Sequence, residues 1–239
     1  MRFSPARRVP PPLAGKPEAG MRQPLRRRVF AAFALLTVSA SLRGQEAERV
    51  WNFRVYLDDK PIGTHRFTLR GAGAERSLSS VAAFEVKVLG FTAYRYAHHA
   101  TETWRDNCLM KMSARTNDDG KALSVEAAAE GERMSISATD NKESVTGCVM
   151  SFAYWNPQML RQSRLLNAQT GQVEAVSIAA GADGSVNVNG KPVPARRYKL
   201  SGPKNPLDIW YTPGGEWLGL DSTVGGGRRL TYRLENGPG

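Results

Sequence analysis

The sequence has few of the residues that metal and redox chemistry require: it holds two cysteines and three histidines among 239 residues. No CxxC pair and no Cys/His spacing typical of a zinc site occurs. The motifs GxSxG and HExxH and the EF-hand loop are also missing. Gly71 and Gly73 lack the third glycine and the following helix of a dinucleotide-binding motif. No metal, cofactor or enzyme class is therefore predicted, and whether the protein is an enzyme stays open.

Long apolar runs are missing too. The run from Val29 to Val38 is about ten residues, whereas a membrane-spanning helix needs roughly 20. It follows Arg26–Arg28 and ends in the small residues Ser39 and Ala40, which is the order of a secretory signal peptide. We therefore predict a basic leader and cleaved signal peptide over residues 1–40, with Met21 as an alternative start, and a single β-rich domain over residues 41–239.

Two questions about this leader stay open at the sequence level. Arg27, Arg28 and Phe30 match part of a twin-arginine signal, so both the general and the twin-arginine export routes remain. The alternative to a signal peptide is a disordered basic leader followed by a buried helix. In either export route the predicted location is the periplasm.

The positive charge is concentrated in the leader. The chain carries a formal net charge of +11, but residues 1–40 hold eight of its 33 basic residues and one of its 22 acidic ones. The basic residues of the remaining chain are scattered and form no stripe interleaved with aromatic side chains. Nucleic acid is therefore not predicted as a partner, and no membrane span is expected after signal cleavage.

The two cysteines, Cys108 and Cys148, form an even pair. In an oxidising compartment such a pair is more often a disulfide than two free thiols. We predict the Cys108–Cys148 disulfide, and two buried thiols are the alternative.

An alternation of apolar and polar residues dominates the chain from Trp51 onward. Trp51, Phe53, Val55 and Leu57 alternate with polar neighbours, and Asp58–Pro61 is a turn signal. The same pattern continues through successive strands with short turns, such as Asn117–Gly120 and Asn189-Gly190. It predicts an all-β, antiparallel meander. One short helix is predicted after the middle of the chain, because Asn156 and Pro157 are a good N-cap and first residue for Gln158–Leu166.

Several short segments resemble a family of exported proteobacterial proteins of unknown function. They are Trp51-Asn52-Phe53, Pro61–His65, Trp155–Gln158, Trp210-Tyr211 and Leu230–Tyr232. The resemblance spans nearly the whole predicted domain. It implies a curved or barrel-like antiparallel sheet, a location in the periplasm, and an association with genes of lipid metabolism. It supplies no catalytic residues.

Histidines are the first candidates for chemistry. His98 and His99 are adjacent on a predicted strand, so they point to opposite faces and cannot share a metal ion without a bulge. His98 and Glu102 share a face, but lie about 13 Å apart along a straight strand, too far for a direct pair. His65 lies on the apolar face of its own strand and is predicted to approach His98. The two could act as acid and base, or they could be ordinary hydrogen-bonded histidines.

Aromatic and thioether side chains are predicted to share the inward face of consecutive strands. Such a face could hold an apolar ligand, since ligand pockets are mostly hydrophobic with few polar groups; ordinary core filling is the alternative. The candidate ligand-binding residues are His65, Tyr94, Tyr96, His98, Trp104, Met110 and Met112.

The sequence as a whole predicts an exported periplasmic protein that binds a lipidic or other apolar molecule on the concave face of a curved sheet. Two alternatives are an envelope enzyme that uses His65 or His98 with a carboxylate such as Glu85 or Glu102, and a structural envelope module that pairs through an edge strand. The sequence predicts no oligomeric state.

Overall fold

The computed structural model describes residues 48–237, which belong to one compact unit. The predicted leader and signal peptide lie outside these residues. Sixteen strands are described: β1 (Glu48–Leu57), β2 (Lys60–Arg70), β3 (Glu75–Val88), β4 (Phe91–Arg105), β5 (Cys108–Asp118), β6 (Lys121–Glu130), β7 (Arg133–Ala138), β8 (Lys142–Thr146), β9 (Arg164–Leu166), β10 (Val173–Ala175), β11 (Ser177–Ala180), β12 (Gly184–Val188), β13 (Lys191–Ser201), β14 (Leu207–Tyr211), β15 (Trp217–Val224) and β16 (Arg228–Asn236).

One large antiparallel sheet contains all of these strands except β9 and β10. Strands β1–β8 pair in sequence order, β13–β16 do the same, and β16 pairs with β1 to join the two runs. Both β11 and β12 pair with β13, and β9 pairs with β10 in a small separate sheet. The sheet does not close, because β8 and β11 remain at its two ends. The predicted class, an all-β antiparallel meander in an open curved sheet, is confirmed.

The core lies on one face of this sheet. Trp51, Phe53 and Val55 of β1 are fully buried while the residues between them are half-buried, which is the alternation expected of a strand with one face on the core. The same alternation continues on β3, where Leu78 and Ala82 are buried. It also continues on β4, where their cross-strand partners Glu102 and His98 are buried. This face is called the inner face below.

A segment of irregular chain fills part of the inner face. This insert, residues 147–176, connects β8 to β11 and includes β9, β10 and a 3-10 helix, Pro157–Arg161. Its Trp155 ring packs edge-on against Trp104 of β4 at 5.4 Å, and Tyr154 packs against Trp217 of β15 at 5.2 Å. The insert therefore stands between the two runs of the sheet and contacts both.

The prediction of a helix in the insert is only partly correct. Asn156 does act as the N-cap, since its side chain accepts a hydrogen bond from the Gln158 amide at 3.1 Å. The helix is a single 3-10 turn that ends at Arg161, and Arg164–Leu166, predicted to be helical, is strand β9. Leu165 and Leu166 are buried by pairing with β10 and packing on the sheet, so tertiary contacts determine the conformation there.

The predicted disulfide is confirmed: Cys108 and Cys148 are bonded across a sequence separation of 40 residues. Cys108 begins β5 and Cys148 lies at the start of the insert. Beside the bond, the Leu109 amide donates to the Val149 carbonyl at 2.9 Å. The disulfide thus fixes one end of the insert to the sheet.

Met110 departs from the predicted alternation. The β4–β5 register runs from Thr103 opposite Lys111 to Trp104 opposite Leu109, so Met110 is the extra residue of a β-bulge. Met112 is fully buried on the inner face, whereas Met110 is half-buried. The prediction that Met110 shares the inward face with Met112 is wrong, because the bulge shifts the phase between them.

Beyond their neighbours, β3 and β4 continue as a two-stranded arm. The β2–β3 register ends at Phe84, and the β4–β5 register ends at Tyr96. Residues 85–95 therefore pair only with one another as strands. This hairpin is called the arm below.

We expect Gly202→Ala to lower the free energy of unfolding by about 2 kcal/mol. Gly202 follows β13 with φ +119°, and an added Cβ would lie 2.1 Å from the Ala175 carbonyl oxygen. Gly73→Ala is the matched control, because Gly73 also has positive φ (+70°) but open space around it, so that only the conformational cost applies. Urea unfolding curves would compare the two, and equal losses would contradict a role for the close approach.

Candidate functional site

His65 lies on the inner face of β2 among polar and aromatic side chains. Its Nε2 is 2.7 Å from the Ser80 Oγ, and its Nδ1 is 3.4 Å from the Tyr232 hydroxyl. The imidazole stacks on the Phe67 ring with centroids 4.0 Å apart. These contacts follow from the strand register, which puts Phe53 of β1 and Ala82 of β3 opposite His65.

His98 lies on β4, close to His65. Its Nδ1 is 2.8 Å from the Thr116 Oγ1 of β5, and the two imidazole centroids are 6.5 Å apart. The predicted approach of the two histidines on one face is therefore present. His99 points the other way and is exposed.

Both inner histidines are neutral at physiological pH. Burial lowers the pKa of His65 to about 3, helped by the neighbouring His98, and burial lowers the pKa of His98 to about 4, helped by His99. A neutral imidazole of such low basicity is a weak general base at pH 7, since the best catalytic pKa lies near the operating pH. The pair is better suited to hydrogen bonding than to proton transfer.

Among residues 48–237, neither histidine has the carboxylate partner that the enzyme alternative requires. Glu85 lies on the outer side of the arm, where Thr92 donates to it at 2.5 Å and Arg95 at 3.5 Å. Glu102 is buried on the inner face and accepts from the Trp104 Nε1 at 2.9 Å. The contacts of His65 and His98 are to hydroxyl groups instead.

Among the carboxyl groups of residues 48–237, that of Glu102 has the largest change in pKa. Burial raises its pKa from 4.5 to about 7, although the hydrogen bond from the Trp104 indole acts in the opposite direction. The group lies beneath the insert, at the end of the inner face where Trp104 and Met112 are also fully covered. Its position in the packed core limits access by any substrate.

At the other end of the inner face, three aromatic rings are partly exposed. Phe84 and Tyr96 stack with centroids 5.2 Å apart, Tyr94 lies one inward position further out, and its hydroxyl donates to Asp118 at 2.6 Å. We call Phe84, Tyr94 and Tyr96 the aromatic mouth. Its floor is the ring of Tyr232, which lies 6.2 Å from Phe84 and 5.7 Å from His65.

The mouth continues onto the arm. Val86 pairs with Tyr94, and Val88 pairs with Phe91 near the tip, so period-two alternation places these side chains on the same side as Phe84. A depression of about 770 Å³ occurs at this end of the sheet, but most of its lining residues, such as Ala83, Ala97 and Asn117, belong to the outer face. The candidate site is therefore an open apolar surface rather than an enclosed cavity.

The seven predicted ligand-binding residues fall into three places. Tyr94 and Tyr96 form part of the mouth, and His65 and His98 lie below it. Trp104 and Met112 are at the covered end, in the packed core. Met110 borders a different depression of about 360 Å³, together with Arg76 and Arg105. One site of all seven residues is thus not formed.

Sequence reasoning missed the polar partners of the histidines and one ring of the mouth. Ser80, Thr116 and Tyr232 supply the hydroxyl groups, and Phe84 completes the aromatic stack. A signal was available for two of them, because Ser80 and Thr116 are polar residues at inward positions of alternating strands. The Tyr232 contact depends on the pairing of β16 with β1, which the local pattern does not encode.

Among residues 48–237, no group of three or more His, Cys, Asp or Glu side chains is arranged to hold a metal ion. Within the same residues, no helix is long and apolar enough to cross a membrane.

Comparison with known proteins yields a family and a fold. The sequence profile of a family described as "Domain of unknown function (DUF6134)" matches residues 53–235. Among solved structures, the chain is similar to a β-barrel-like protein of domain of unknown function DUF1849 from Brucella abortus, with 10% identity and a TM-score of 0.52. That similarity covers 79% of this chain and 95% of the other, and it concerns the fold alone. No curated protein matches the chain.

Proposed function

We propose that this chain, which belongs to the DUF6134 family, is an exported periplasmic protein that binds a lipidic or other apolar molecule at the aromatic mouth. The observation that carries the proposal is the partly exposed aromatic surface of Phe84, Tyr94 and Tyr96 and its continuation along the arm. Contiguous exposed apolar surface with a polar margin is typical of ligand grooves and interaction sites.

Polar groups at the mouth suit a ligand with one polar end. The Tyr94 hydroxyl donates to Asp118 at 2.6 Å and the Tyr96 hydroxyl donates to Gln169 at 3.3 Å, so each oxygen can still accept a hydrogen bond. A few placed hydrogen-bonding groups beside an apolar wall are the usual composition of a small-molecule site. The apolar part of the ligand would lie against the rings, and its polar end would face the two tyrosine hydroxyls.

Export is supported by two observations of different kinds. The Cys108–Cys148 bond belongs to a class of bond that persists in oxidising compartments. The order of charge, apolar run and small residues before residue 41 is that of a secretory signal peptide.

The alternatives have less support. An enzyme would draw on the close Ser80–His65 pair, but Ser80 is buried, His65 is a weak base, and no carboxylate of the described residues orients the imidazole. A structural module was expected to show a long unpaired edge. The strands at the ends of the sheet are short, however: β8 has five residues and β11 has four.

We expect Phe84→Ala to weaken binding of a fluorescent fatty-acid analogue at least fivefold, because it removes half of the aromatic stack and about 1 kcal/mol or more of apolar contact. Fluorescence titration would measure the affinity, with protein that is expressed from the full sequence in cells able to remove the predicted signal peptide. Val81→Ala is the matched control, since Val81 is 47% exposed on the outer face, and it should leave the affinity unchanged. Thermal unfolding of each variant would separate lost binding from lost structure.

Two results would overturn the proposal. One is the absence of saturable binding by the wild-type chain together with no co-purified lipid in native mass spectrometry. The other is equal weakening by Phe84→Ala and Val81→Ala.

A further inference from the structure

We propose that the tip of the arm inserts into the surface of a lipid bilayer. The tip carries the most exposed large apolar side chains among the described residues: Leu89 is 93% exposed, Phe91 79% and Val88 54%. They form one contiguous group, because Val88 and Phe91 are cross-strand partners and Leu89 lies in the turn between them. The inference goes beyond ligand binding at the mouth and does not require it.

The backbone conformation of the turn does not favour leucine at position 89. Among residues 48–237, six non-glycine residues have positive φ, and five of them are aspartate or asparagine, the residues that tolerate this conformation best. Leu89, with φ +50° before Gly90, is the exception. The hairpins at Asp119-Gly120 and Asn189-Gly190 use the favoured residues in the same kind of turn. A strained, solvent-exposed leucine at the tip points to a function for its side chain.

Geometry limits how deep the tip can reach. The arm extends four residues of β3 beyond Phe84, or about 14 Å at roughly 3.4 Å per residue. Lys87 is the first charged residue below the tip on β3, and its side chain is 60% exposed. Insertion as far as the Val88–Phe91 pair would bury roughly the outer 5 to 10 Å, which is the depth of interfacial insertion. Lys87 would then lie at the level of the headgroups.

The size of the apolar tip favours a bilayer over a protein partner. A stable protein interface buries about 800 Å² on each side. Three side chains supply a few hundred Å² at most, since even an aromatic residue contributes roughly 150–250 Å². A bilayer requires no complementary shape, so three apolar side chains on a projecting turn suffice for reversible contact.

The charged side chains near the tip should contribute little to membrane binding. Lys87 and Arg95 lie on the arm, and Glu85 contacts both, at 3.8 Å and 3.5 Å. Asp118 and Asp119 lie at the base, where Asp119 accepts a hydrogen bond from the Arg95 amide. Because these charges largely balance, binding should depend on the apolar side chains and only weakly on salt.

Flotation of the full chain with phosphatidylglycerol–phosphatidylethanolamine vesicles tests the proposal. We expect Leu89→Asn to reduce the vesicle-bound fraction at least fivefold while the melting temperature stays equal or rises, because asparagine fits the positive φ better than leucine. The affinity for the fatty-acid analogue in solution should be unchanged, so that failure of membrane binding and failure of the ligand site are distinguishable.

A second variant tests whether the tip is specific. Leu89→Asn with Asn189→Leu moves the exposed leucine to the β12–β13 turn, which holds none of the highly exposed large apolar side chains of the described residues. This double variant should bind vesicles as poorly as Leu89→Asn alone, and recovery of binding would overturn the proposal. So would wild-type binding no higher than that of Leu89→Asn. Wild-type dimers in analytical ultracentrifugation that Leu89→Asn dissociates would identify a second copy as the occupant and would likewise overturn it.

Discussion

Replacing Cys108 and Cys148 together by serine is expected to lower the free energy of unfolding by about 4 kcal/mol. The bond closes a loop with a sequence separation of 40 residues, and the chain-entropy model gives roughly this stabilisation for a loop of that length. For a domain with a typical total stability of about 5–15 kcal/mol, that is a large share. Urea unfolding of the wild-type protein and the double variant, at one pH and without reductant, measures the difference.

The loss should also be visible locally, at the insert. The bond holds Cys148 beside β5, and the Leu109–Val149 and Met150–Leu166 backbone hydrogen bonds follow it. Faster amide exchange of Leu109 and Leu166 in the double variant, relative to β1, would show that the insert loosens first. A difference below about 1 kcal/mol with unchanged exchange would contradict the anchoring role. Wild-type protein in reductant is the control for the serine substitutions.

Glu102→Gln is expected to stabilise the protein by about 3 kcal/mol at pH 8.5 and by little at pH 5. The carboxyl has a pKa of about 7 in the folded protein, against 4.5 ordinarily. The folded state therefore holds a proton that the unfolded state releases, and stability present below pH 4.5 is lost as the pH rises to 7. Glutamine keeps an oxygen for the Trp104 indole and carries no charge.

His98 produces the opposite slope on the acid side. Its pKa falls from 6.5 to about 4 on folding, so stability present above pH 6.5 is lost as the pH falls to 4, by about 3 kcal/mol. The depressed pKa of His65 acts in the same direction. The two windows overlap, so we expect the wild-type stability to change little above pH 6.5, whereas the gain from Glu102→Gln should grow from pH 4.5 to pH 7 and stay at about 3 kcal/mol up to pH 8.5.

Unfolding midpoints in urea at pH 4.5, 6.5 and 8.5 would check this profile. Glu126→Gln is the matched control, because Glu126 is an exposed carboxylate on the outer face that accepts from Ser113. A gain from Glu102→Gln that does not grow between pH 4.5 and pH 8.5, or an equal gain from Glu126→Gln, would rule out the assigned cause.

Local sequence patterns predicted most of the strands. Alternation from Trp51 to Leu57 and the turn at Asp58-Asp59 are present as predicted, because a strand with one buried face needs a period of two and a tight turn needs residues that accept positive φ. Two features were beyond such patterns. The bulge at Met110 and the strand at Arg164–Leu166 depend on partners from distant parts of the chain.

The candidate site was predictable to a smaller degree. The approach of His65 and His98 followed from strand parity and the order of neighbouring strands. Parity could not show that the insert covers Trp104 while leaving Tyr96 half-exposed. It also could not distinguish Leu89 from an ordinary turn residue, since the exposed position and positive φ of Leu89 appear only in the structure.

The pairing of β1 with β16 has a consequence for biosynthesis. The first strand receives its second neighbour only when residues 228–236 have been made. At about 5–20 residues per second, the ribosome takes on the order of 10 to 40 s to reach them. Throughout that interval one border of the nascent meander is an unprotected template for intermolecular strand addition. Truncations that end before Arg228 should therefore aggregate rather than yield a smaller folded protein.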